Sequence, residues 1–256
     1  MLSKSKIKLI TSFSHKKYRD ESGLFVAENT KLVLDLMSEM ECVLLVATNV
    51  WLKTNSNIKA DEIIEATEND FFKISSQKTP QGVLAIFRKP DSDYNFDEIG
   101  AQLSLALDDV QDPGNLGTII RVADWFGIRD VFCSLHTADV YGAKTVQATM
   151  GALARVRVHY VNLVDFLQKC SERKIPIYGT FLDGKNIYQE KKLSENGIII
   201  MGNEGNGITP QIEEYISKRL FIPNFPQGET TSESLNVGIA TALVCAEFRR
   251  RNLNLP

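Results

Sequence analysis

Apolar residues along the chain occur in two alternating arrangements, short continuous runs of strand length and longer stretches with helical spacing. In the first 90 residues the runs Leu24–Ala27, Cys42–Ala47 and Gly82–Phe87 predict strands. Apolar positions on one face of a helix occur around residues 30–40, and a further helix is predicted at about 3–13. Because strands and helices alternate, this part is expected to form a small α/β domain.

The rest of the chain shows the same alternation over a greater length. Its predicted strands are Leu103–Leu107, Asp130–Cys133, Arg155–Tyr160, Pro176–Thr180, Gly197–Met201 and Arg219–Ile222. Strands joined through helices form mainly parallel sheets that are covered on both faces. We therefore predict a second, larger α/β domain with a parallel sheet, which ends in a helix at about Leu235–Arg251.

A polar, acidic segment with a proline separates the two patterned regions at residues 89–98. Segments of this composition connect domains. We predict one domain at 1–90, a linker at 91–98 and a second domain at 99–256. The length of 256 residues agrees with two domains.

The net charge of −3 gives no sign of a polyanionic partner, but the charges are unevenly distributed. Residues 1–19 have six basic and no acidic side chains, whereas residues 20–98 have 7 basic and 15 acidic ones. The remainder, 99–256, is nearly neutral, with 16 basic and 17 acidic residues. The basic start is either a solvated amphipathic helix or a surface that faces phosphate groups.

Several classes of protein find no support in the composition. No apolar run approaches the roughly 20 residues needed to cross a bilayer, and the first residues lack the apolar core of a secretory signal. The four cysteines are far apart and the three histidines are scattered, which argues against a zinc site. We expect a cytoplasmic protein without a metal.

Two loops of unusual composition follow predicted strands at their carboxyl ends, where α/β sheets bind ligands. In the first, Pro113 and Gly114 predict a turn, Asn115 is the predicted N-cap of the next helix, and Arg121 lies on the polar side of that helix. In the second, three glycines surround Glu204 and leave backbone N–H groups available to a ligand. Both loops also have an ordinary interpretation. In that interpretation Arg121 of the first loop is simply a solvated arginine, and the second loop is a glycine-rich turn with no ligand.

A third loop, residues 221–238, contains Ser234, which could cap the final helix. No histidine lies near its serines, so a hydrolase triad has no support. The glycine spacing of the second loop is neither the G-x-G-x-x-G of a dinucleotide site nor a P-loop. A nucleotide-dependent oxidoreductase is therefore disfavoured.

Together and in this order, the three loops resemble the motifs of the SpoU (TrmH-like) RNA 2′-O-methyltransferases of the SPOUT superfamily. The matching residues are Asp109, Pro113, Asn115, Leu116, Gly117, Ile119 and Arg121 for motif one, Gly202-Asn203-Glu204-Gly205 for motif two, and Ile222-Pro223 with Ser234-Leu235-Asn236-Val237 for motif three. The resemblance covers about residues 100–252. Residues 7–88 are more loosely similar to the amino-terminal substrate-binding domain of the family, which has an L30e-like fold.

This resemblance implies an enzyme that transfers a methyl group from S-adenosylmethionine to a ribose 2′-hydroxyl of RNA, with ribosomal RNA as the expected substrate. A transfer RNA substrate and a non-catalytic RNA-binding protein on the same scaffold remain alternatives. The resemblance also implies a deep trefoil knot in the second domain, and a homodimer.

The resemblance assigns site residues by position. Catalytic and substrate-facing positions fall on Asn115, Arg121, Glu204, Ser234 and Asn236. Positions that bind S-adenosylmethionine fall on Thr180, Leu182, Gly202, Asn203, Glu204, Gly205, Ile222, Pro223, Ser234 and Leu235. The charge distribution, and not the resemblance, predicts RNA contact at Lys4, Lys8, Lys16, Lys17 and Arg19 of the basic start, together with the outward Arg121.

In the family this arginine activates the hydroxyl. A guanidinium group, with a pKa above about 12, is a poor base. We therefore expect Arg121 to bind phosphate and to stabilise the developing alkoxide.

Three features depart from the family pattern. The segment 224–233 is longer than usual, and we expect it to be mobile or to reshape the rim of the cofactor pocket. Gly238 follows motif three where serine or alanine is common, and Asn29 occupies a position where glycine is common.

Overall fold

The computed structural model describes residues 2–91, 93–226 and 232–252. The chain divides into two compact units. Unit 1 comprises Met1–Asp91 and Asp139–Arg155, and unit 2 comprises Ser92–Ala138 and Val156–Pro256. This division differs from the predicted domains in two respects. Residues 139–155 belong with unit 1 although they lie within the predicted second domain, and unit 2 begins at Ser92, within the predicted linker 91–98.

The elements alternate along the chain as the apolar pattern predicts. The strands are β1 (Leu24–Glu28), β2 (Cys42–Ala47), β3 (Glu62–Glu65), β4 (Val83–Arg88), β5 (Leu103–Leu107), β6 (Asp130–Cys133), β7 (Arg157–Tyr160), β8 (Ile177–Asn186), β9 (Gly197–Met201) and β10 (Lys218–Phe221). The helices are α1 (Lys4–Ser12), α2 (Lys16–Ser22), α3 (Thr30–Met37), α4 (Asn49–Thr54), α5 (Glu68–Ile74), α6 (Phe96–Ala101), α7 (Pro113–Trp125), α8 (Ala143–Thr149), α9 (Leu163–Glu172), α10 (Pro210–Glu213) and α11 (Val237–Asn252).

Unit 1 contains a four-stranded sheet with the order β1-β4-β2-β3. Strand β4 runs antiparallel to β1 and β2, and β3 is parallel to β2. Residues from α1, α5 and the sheet form its core, among them Ile10, Phe71 and Ile86. The elements α2, α4, β3 and α5 escape the sequence pattern because they are short, and β3 is almost wholly exposed.

Asn29 explains one departure from the family pattern. It is the N-cap of α3, and its side chain accepts a hydrogen bond from the Lys31 N–H at 3.0 Å. Its φ of 92° lies in the region that favours glycine. Asparagine can occupy this position in place of glycine, because it tolerates positive φ better than most residues and its side chain also caps the helix.

Residues 139–155 are attached to the rest of unit 1 through polar and aromatic contacts. Arg19 forms an ion pair with Asp139 and donates a hydrogen bond to the Phe13 carbonyl. The ring of Tyr141 packs on Phe25 with centroids 4.9 Å apart. Arg19 is only 5% exposed and its guanidinium is engaged within unit 1, so the structure gives its predicted contact with RNA no support.

Unit 2 contains a six-stranded sheet with the order β10-β8-β9-β5-β6-β7, in which every neighbouring pair is parallel. This confirms the predicted α/β class and parallel sheet. Phe132, Phe166 and Ile200 are among the buried residues of its core. From β5 the chain adds β6 and β7 on one side of the sheet, and β8, β9 and β10 lie on the other side, so the strand order switches between β5 and β9. Ligands of such sheets bind beyond the carboxyl ends of the strands at this switch point.

Helices α7 and α11 pack closely in unit 2, and Gly238 allows the approach. A Cβ at Gly238 would lie 2.9 Å from Thr118 Cγ2 and 3.2 Å from Asn236 Oδ1. A larger residue would therefore push the two helices apart. In the part of the chain that the structure describes, no helix is both long and apolar enough to cross a membrane.

Candidate functional site

The loops that follow β5 and β9 are hydrogen-bonded to each other at the carboxyl edge of the sheet. Asn203 donates from Nδ2 to the Asp109 carbonyl at 2.7 Å. The Thr209 N–H donates to Asp108 Oδ2, also at 2.7 Å. Both ends of the loop 202–209 are therefore fixed to the residues that follow β5.

The glycine-rich loop folds back on itself. Asn203 and Gly207 exchange backbone hydrogen bonds of 2.8 and 3.0 Å, and Asn203 Oδ1 accepts from the Gly205 N–H at 2.9 Å. A Cβ at Gly202 would lie 2.4 Å from the Gly207 carbonyl carbon, so only glycine fits there. This tight turn places Glu204 at an exposed tip.

Three of the predicted catalytic residues form one hydrogen-bonded chain. Asn115 donates from Nδ2 to Glu204 Oε1 at 2.9 Å, and Asn236 donates from Nδ2 to Asn115 Oδ1 at 2.8 Å. Since a carboxylate only accepts, these two bonds fix the orientation of the Asn115 amide. The chain joins one residue from each of the three sequence motifs.

The helix caps at this site differ from the predicted ones. Asp112 caps α7, because its Oδ1 accepts from the Asn115 N–H at 2.8 Å. Asn236 caps α11, since its Oδ1 accepts from the Gly238 and Ile239 N–H groups at 3.0 and 3.3 Å. Asn115 is therefore not the cap of α7, and Ser234 is not the cap of α11. The cap of α7 holds the backbone of Asn115, and the cap of α11 is Asn236 itself, so both caps help to orient the Glu204–Asn115–Asn236 chain.

Arg121 and Ser234 do not join the Glu204–Asn115–Asn236 chain. Both are exposed, and neither side chain has a hydrogen bond to another residue within the described ranges. Arg121 lies six residues after Asn115 on α7, which is about 240° around a helix axis at 3.6 residues per turn. The two side chains therefore point to different sides of the helix.

The predicted cofactor residues follow three neighbouring strands, β10, β8 and β9. Thr180 lies within β8, in the bulged stretch 180–184, which we call the loop 180–184. Its hydroxyl is 4.0 Å from Sδ of Met201, the last residue of β9. Ile222 and Pro223 directly follow β10 and are half-buried. Leu182 and Leu235 are exposed, by 73% and 50%. Part of the long segment 224–233 lies outside the described residues, namely 227–231, so its expected role stays a prediction.

Sequence reasoning included Asp109 only as a member of motif one and missed Asp108 and Ser134. Asp109 has a φ of 54° and donates from its N–H to Ser134 Oγ at 3.0 Å, while the Ser134 hydroxyl donates to Asp109 Oδ1. Burial raises the pKa of Asp108, the hydrogen bonds from Thr209 lower it less, and the charge of Asp109 adds to the increase. Two acids directly after a wholly buried strand were the available signal.

The basic start of the chain remains a candidate for RNA contact through four lysines on α1 and α2. These exposed residues are Lys4, Lys8, Lys16 and Lys17. Lys17 also lies 3.8 Å from Glu21, one turn along its helix. Among the described residues, no group of three or more His, Cys, Asp or Glu side chains could bind a metal ion.

Two family models match this chain. The model of the SpoU rRNA Methylase family matches residues 102–246. The model of the MRM3-like substrate binding domain matches residues 4–85. The two matches fall in the two regions that the apolar pattern distinguishes.

Individual proteins are similar over nearly the whole length. The 23S rRNA (guanosine(2553)-2′-O)-methyltransferase RlmP of Bacillus subtilis is 30% identical over 239 residues, which is 91% of this chain and 92% of that protein. A solved structure from the TrmH family of RNA methyltransferases, from Porphyromonas gingivalis, is 42% identical with a TM-score of 0.88, over 98% of this chain and 99% of that one. An S-adenosylmethionine-bound rRNA methyltransferase from Sinorhizobium meliloti is 29% identical with a TM-score of 0.82, over 99% and 97% of the two chains. The chain therefore belongs to the SpoU rRNA Methylase family, as its three motifs predict.

Proposed function

We propose that this protein transfers a methyl group from S-adenosylmethionine to a ribose 2′-hydroxyl of ribosomal RNA. Membership of the SpoU rRNA Methylase family supports the reaction, and relatives named for rRNA support the substrate. The principal structural observation is the Glu204–Asn115–Asn236 chain, which unites the three motifs at the carboxyl edge of the sheet. This edge is where a parallel sheet of this kind binds ligands.

The residues at this edge suit S-adenosylmethionine. A Cβ at Gly207 would meet no other atom within 4 Å, so this side of the loop is open to a ligand, whereas Gly202 packs against the Gly207 backbone and fixes the turn. Leu182 and Leu235 are exposed apolar side chains that could contact adenine, and the Glu204 carboxylate can accept hydrogen bonds from ribose hydroxyls. Thr180, Asn203, Gly205, Ile222, Pro223 and Ser234 complete the proposed binding set. When bound, the cofactor supplies an electrophilic methyl group on its sulfonium.

The protein's own residues orient the reacting groups. A neutral 2′-hydroxyl is a weak nucleophile, and correct alignment alone can be worth up to about 7–11 kcal/mol. The Asn115 amide is held at both ends and therefore needs no reorganisation when the ribose binds. Arg121 stabilises the developing negative charge on the 2′-oxygen and binds the adjacent phosphate. Its guanidinium donates hydrogen bonds but does not accept a proton, so the hydroxyl proton would pass to solvent water at this exposed edge.

A homodimer completes this proposal. Arg121 faces away from the Glu204–Asn115–Asn236 chain of its own subunit, so its guanidinium acts in the partner's site. Helices α7 and α11 expose large apolar side chains, with Trp125 84%, Ile239 55% and Leu243 38% exposed. Exposed apolar groups of this kind favour burial against another protein surface. A sedimentation experiment that gave the monomer mass at micromolar concentration would contradict the dimer.

We also assign to unit 2 the trefoil knot of the family, and to the exposed lysines of α1 and α2 a contact with RNA phosphates. Because that contact is electrostatic, RNA affinity is expected to fall steeply as salt is added. A cytoplasmic location is supported by the four cysteines, which are all free and buried thiols. Free thiols are typical of reducing compartments.

The proposal is tested by mapping 2′-O-methylation across all RNA of a strain that lacks the gene. We expect methylation to disappear at one or a few rRNA positions and to return when the wild-type gene is restored. Loss in transfer RNA instead would assign the other substrate. An unchanged map, together with no S-adenosylmethionine binding by calorimetry at millimolar ligand, would favour the non-catalytic RNA-binding protein.

A further inference from the structure

Within strand β8, residues 180–184 bulge out of the pairing with the parallel strand β10. Strand β10 pairs with β8 at Arg219↔Gly179 and again at Leu220↔Lys185, so β8 advances six residues while β10 advances one. A Cβ at Gly184 would lie 2.6 Å from the Leu220 carbonyl carbon, which means that the loop closes directly against the backbone of β10. This loop contains Thr180 and Leu182, two of the proposed cofactor residues.

Arg219 contacts this loop at two points. Its guanidinium carbon lies 3.5 Å from the centroid of the Phe181 ring, and Nη2 is 2.6 Å from Asp183 Oδ1. The hydrogen bond from Arg219 holds the pKa of Asp183 below its usual range, so the carboxylate stays charged. Stacking and a charge-assisted bond from one planar group fix both the position and the orientation of the loop.

The same guanidinium also reaches the segment after the glycine-rich loop. Arg219 Nη1 lies 2.9 Å from Oε2 of Glu213, the last residue of α10. Helix α10 begins directly after Thr209, the residue whose N–H is bonded to Asp108. Arg219 is also three residues before Ile222. One side chain therefore connects the loop 180–184, the segment after 202–209 and the strand that leads to Ile222 and Pro223.

We infer that Arg219 is a positioning residue for S-adenosylmethionine, which sets the separation of the two cofactor loops through its bonds to Asp183 and Glu213 and its contact with Phe181. It is not required to touch the cofactor. The inference rests on the proposed function, because it assumes that the loops 180–184 and 202–209 bind this ligand.

The test compares the affinity for cofactor of the full-length wild type with that of Arg219→Ala and Arg219→Lys. Losing two charge-assisted bonds and the stacking contact should weaken the binding of S-adenosylmethionine about tenfold. Lysine keeps the charge but not the planar fork, so Arg219→Lys should recover only part of the affinity. Binding of S-adenosylhomocysteine should weaken by the same factor, because the two ligands share the adenosine and differ only at the sulfonium methyl.

The kinetic signature separates positioning from general destabilisation. Arg219→Ala should raise the KM for S-adenosylmethionine and leave kcat at saturating cofactor and the KM for RNA near the wild-type values. Arg88→Ala is a matched control, since Arg88 is an exposed arginine that binds Glu41 through two hydrogen bonds in unit 1. This control should change none of the three constants.

Each other outcome has a defined meaning. Wild-type protein that does not bind S-adenosylmethionine would contradict the proposed function itself. Wild-type binding with unchanged affinity in Arg219→Ala would overturn only the role of Arg219. A parallel loss of kcat, RNA affinity and melting temperature would also overturn it, because that pattern indicates a fold defect. If Arg219→Ala fails to fold, Asp183→Asn at a largely exposed position removes one of the charge pairs and gives the same test.

Discussion

Two aspartates at opposite ends of the unit 2 sheet are almost equally buried but have different surroundings. Asp108 follows the carboxyl end of β5 and Asp130 begins β6, and they are 2% and 1% exposed. Asp130 is bonded to Arg157, His159 and Gln102 at 2.8 Å each. Asp108 accepts from the neutral Thr209 N–H.

The charge partners decide the pKa of each carboxylate. Burial alone would raise the pKa of both, but the hydrogen bonds from His159 and Arg157 outweigh burial and hold the pKa of Asp130 below its usual range. At Asp108 burial prevails and the pKa is raised. The amino end of the sheet thus contains a compensated charge that stabilises the fold. The carboxyl end contains Asp108, a buried carboxylate without a positively charged partner among the described residues, beside the proposed active site. Carboxylates with shifted pKa values are common at functional sites.

The sharpest test of this comparison is the same substitution at both positions. Asp130→Asn removes a charge on which two partners depend, and should lower the free energy of unfolding by about 3 kcal/mol. Asp108→Asn keeps an acceptor for the Thr209 N–H and removes the cost of a buried charge, so it should change that free energy by less than about 1 kcal/mol. Urea unfolding at neutral pH measures both. Equal losses at the two sites would refute the distinction.

A substitution in the proposed catalytic machinery should show the converse behaviour. Arg121→Ala should lower kcat about 100-fold, the effect of removing one donor to a developing negative charge. Because Arg121 is exposed, the melting temperature of Arg121→Ala should stay at the wild-type value. Single-turnover methylation and thermal unfolding are the measurements. Full turnover with loss of RNA affinity alone would show that Arg121 only binds phosphate.

Asn236 has two separable tasks, which allow a smaller test. Asn236→Ala should lose about 1 kcal/mol of stability with the cap of α11 and should also slow methylation through the loss of the bond to Asn115. Asn236→Asp retains an acceptor for the helix N–H groups but cannot donate to Asn115. We therefore expect Asn236→Asp to restore the melting temperature and not the rate. Recovery of both would mean that the bond to Asn115 has no role in the reaction.

The smallest expected effect is the pH dependence of stability. The folded-state pKa of Asp130 is below its unfolded value of about 4, so its contribution is complete above that pH and is lost as the pH falls through the folded value. The contribution of Asp108 to stability has the opposite sign. Its raised pKa means that the ionised carboxylate destabilises the folded state, and this cost disappears as the pH falls towards about 4. Unfolding curves of wild type, Asp130→Asn and Asp108→Asn between pH 3 and 7 should show these opposite differences. The same sign for both would contradict the assignment of their partners.

The sequence predicted the architecture of unit 2 better than its local chemistry. Strand β5 has the predicted bounds Leu103–Leu107, because a run of buried apolar residues is visible without knowledge of its neighbours. The cap assignments at Asn115 and Ser234 were wrong, since Asp112 and Asn236 are equally good capping residues and the choice depends on where each helix begins. In the sequence Arg19 is indistinguishable from the basic residues beside it. Its bond to Asp139 joins positions 120 residues apart, which a local sequence pattern cannot reveal.

The sequence by itself determined the order of the longer strands and helices, the three motifs and the family, because these depend on local periodicity and on residues close together in the chain. Only the tertiary structure decided which polar side chains meet. The Glu204–Asn115–Asn236 chain, the bond of Arg219 to Asp183, and the opposite pKa directions of Asp108 and Asp130 all depend on residues that are distant in sequence. Hydrogen bonds and desolvation act over a few ångströms in space, so their outcome follows from packing and not from spacing along the chain.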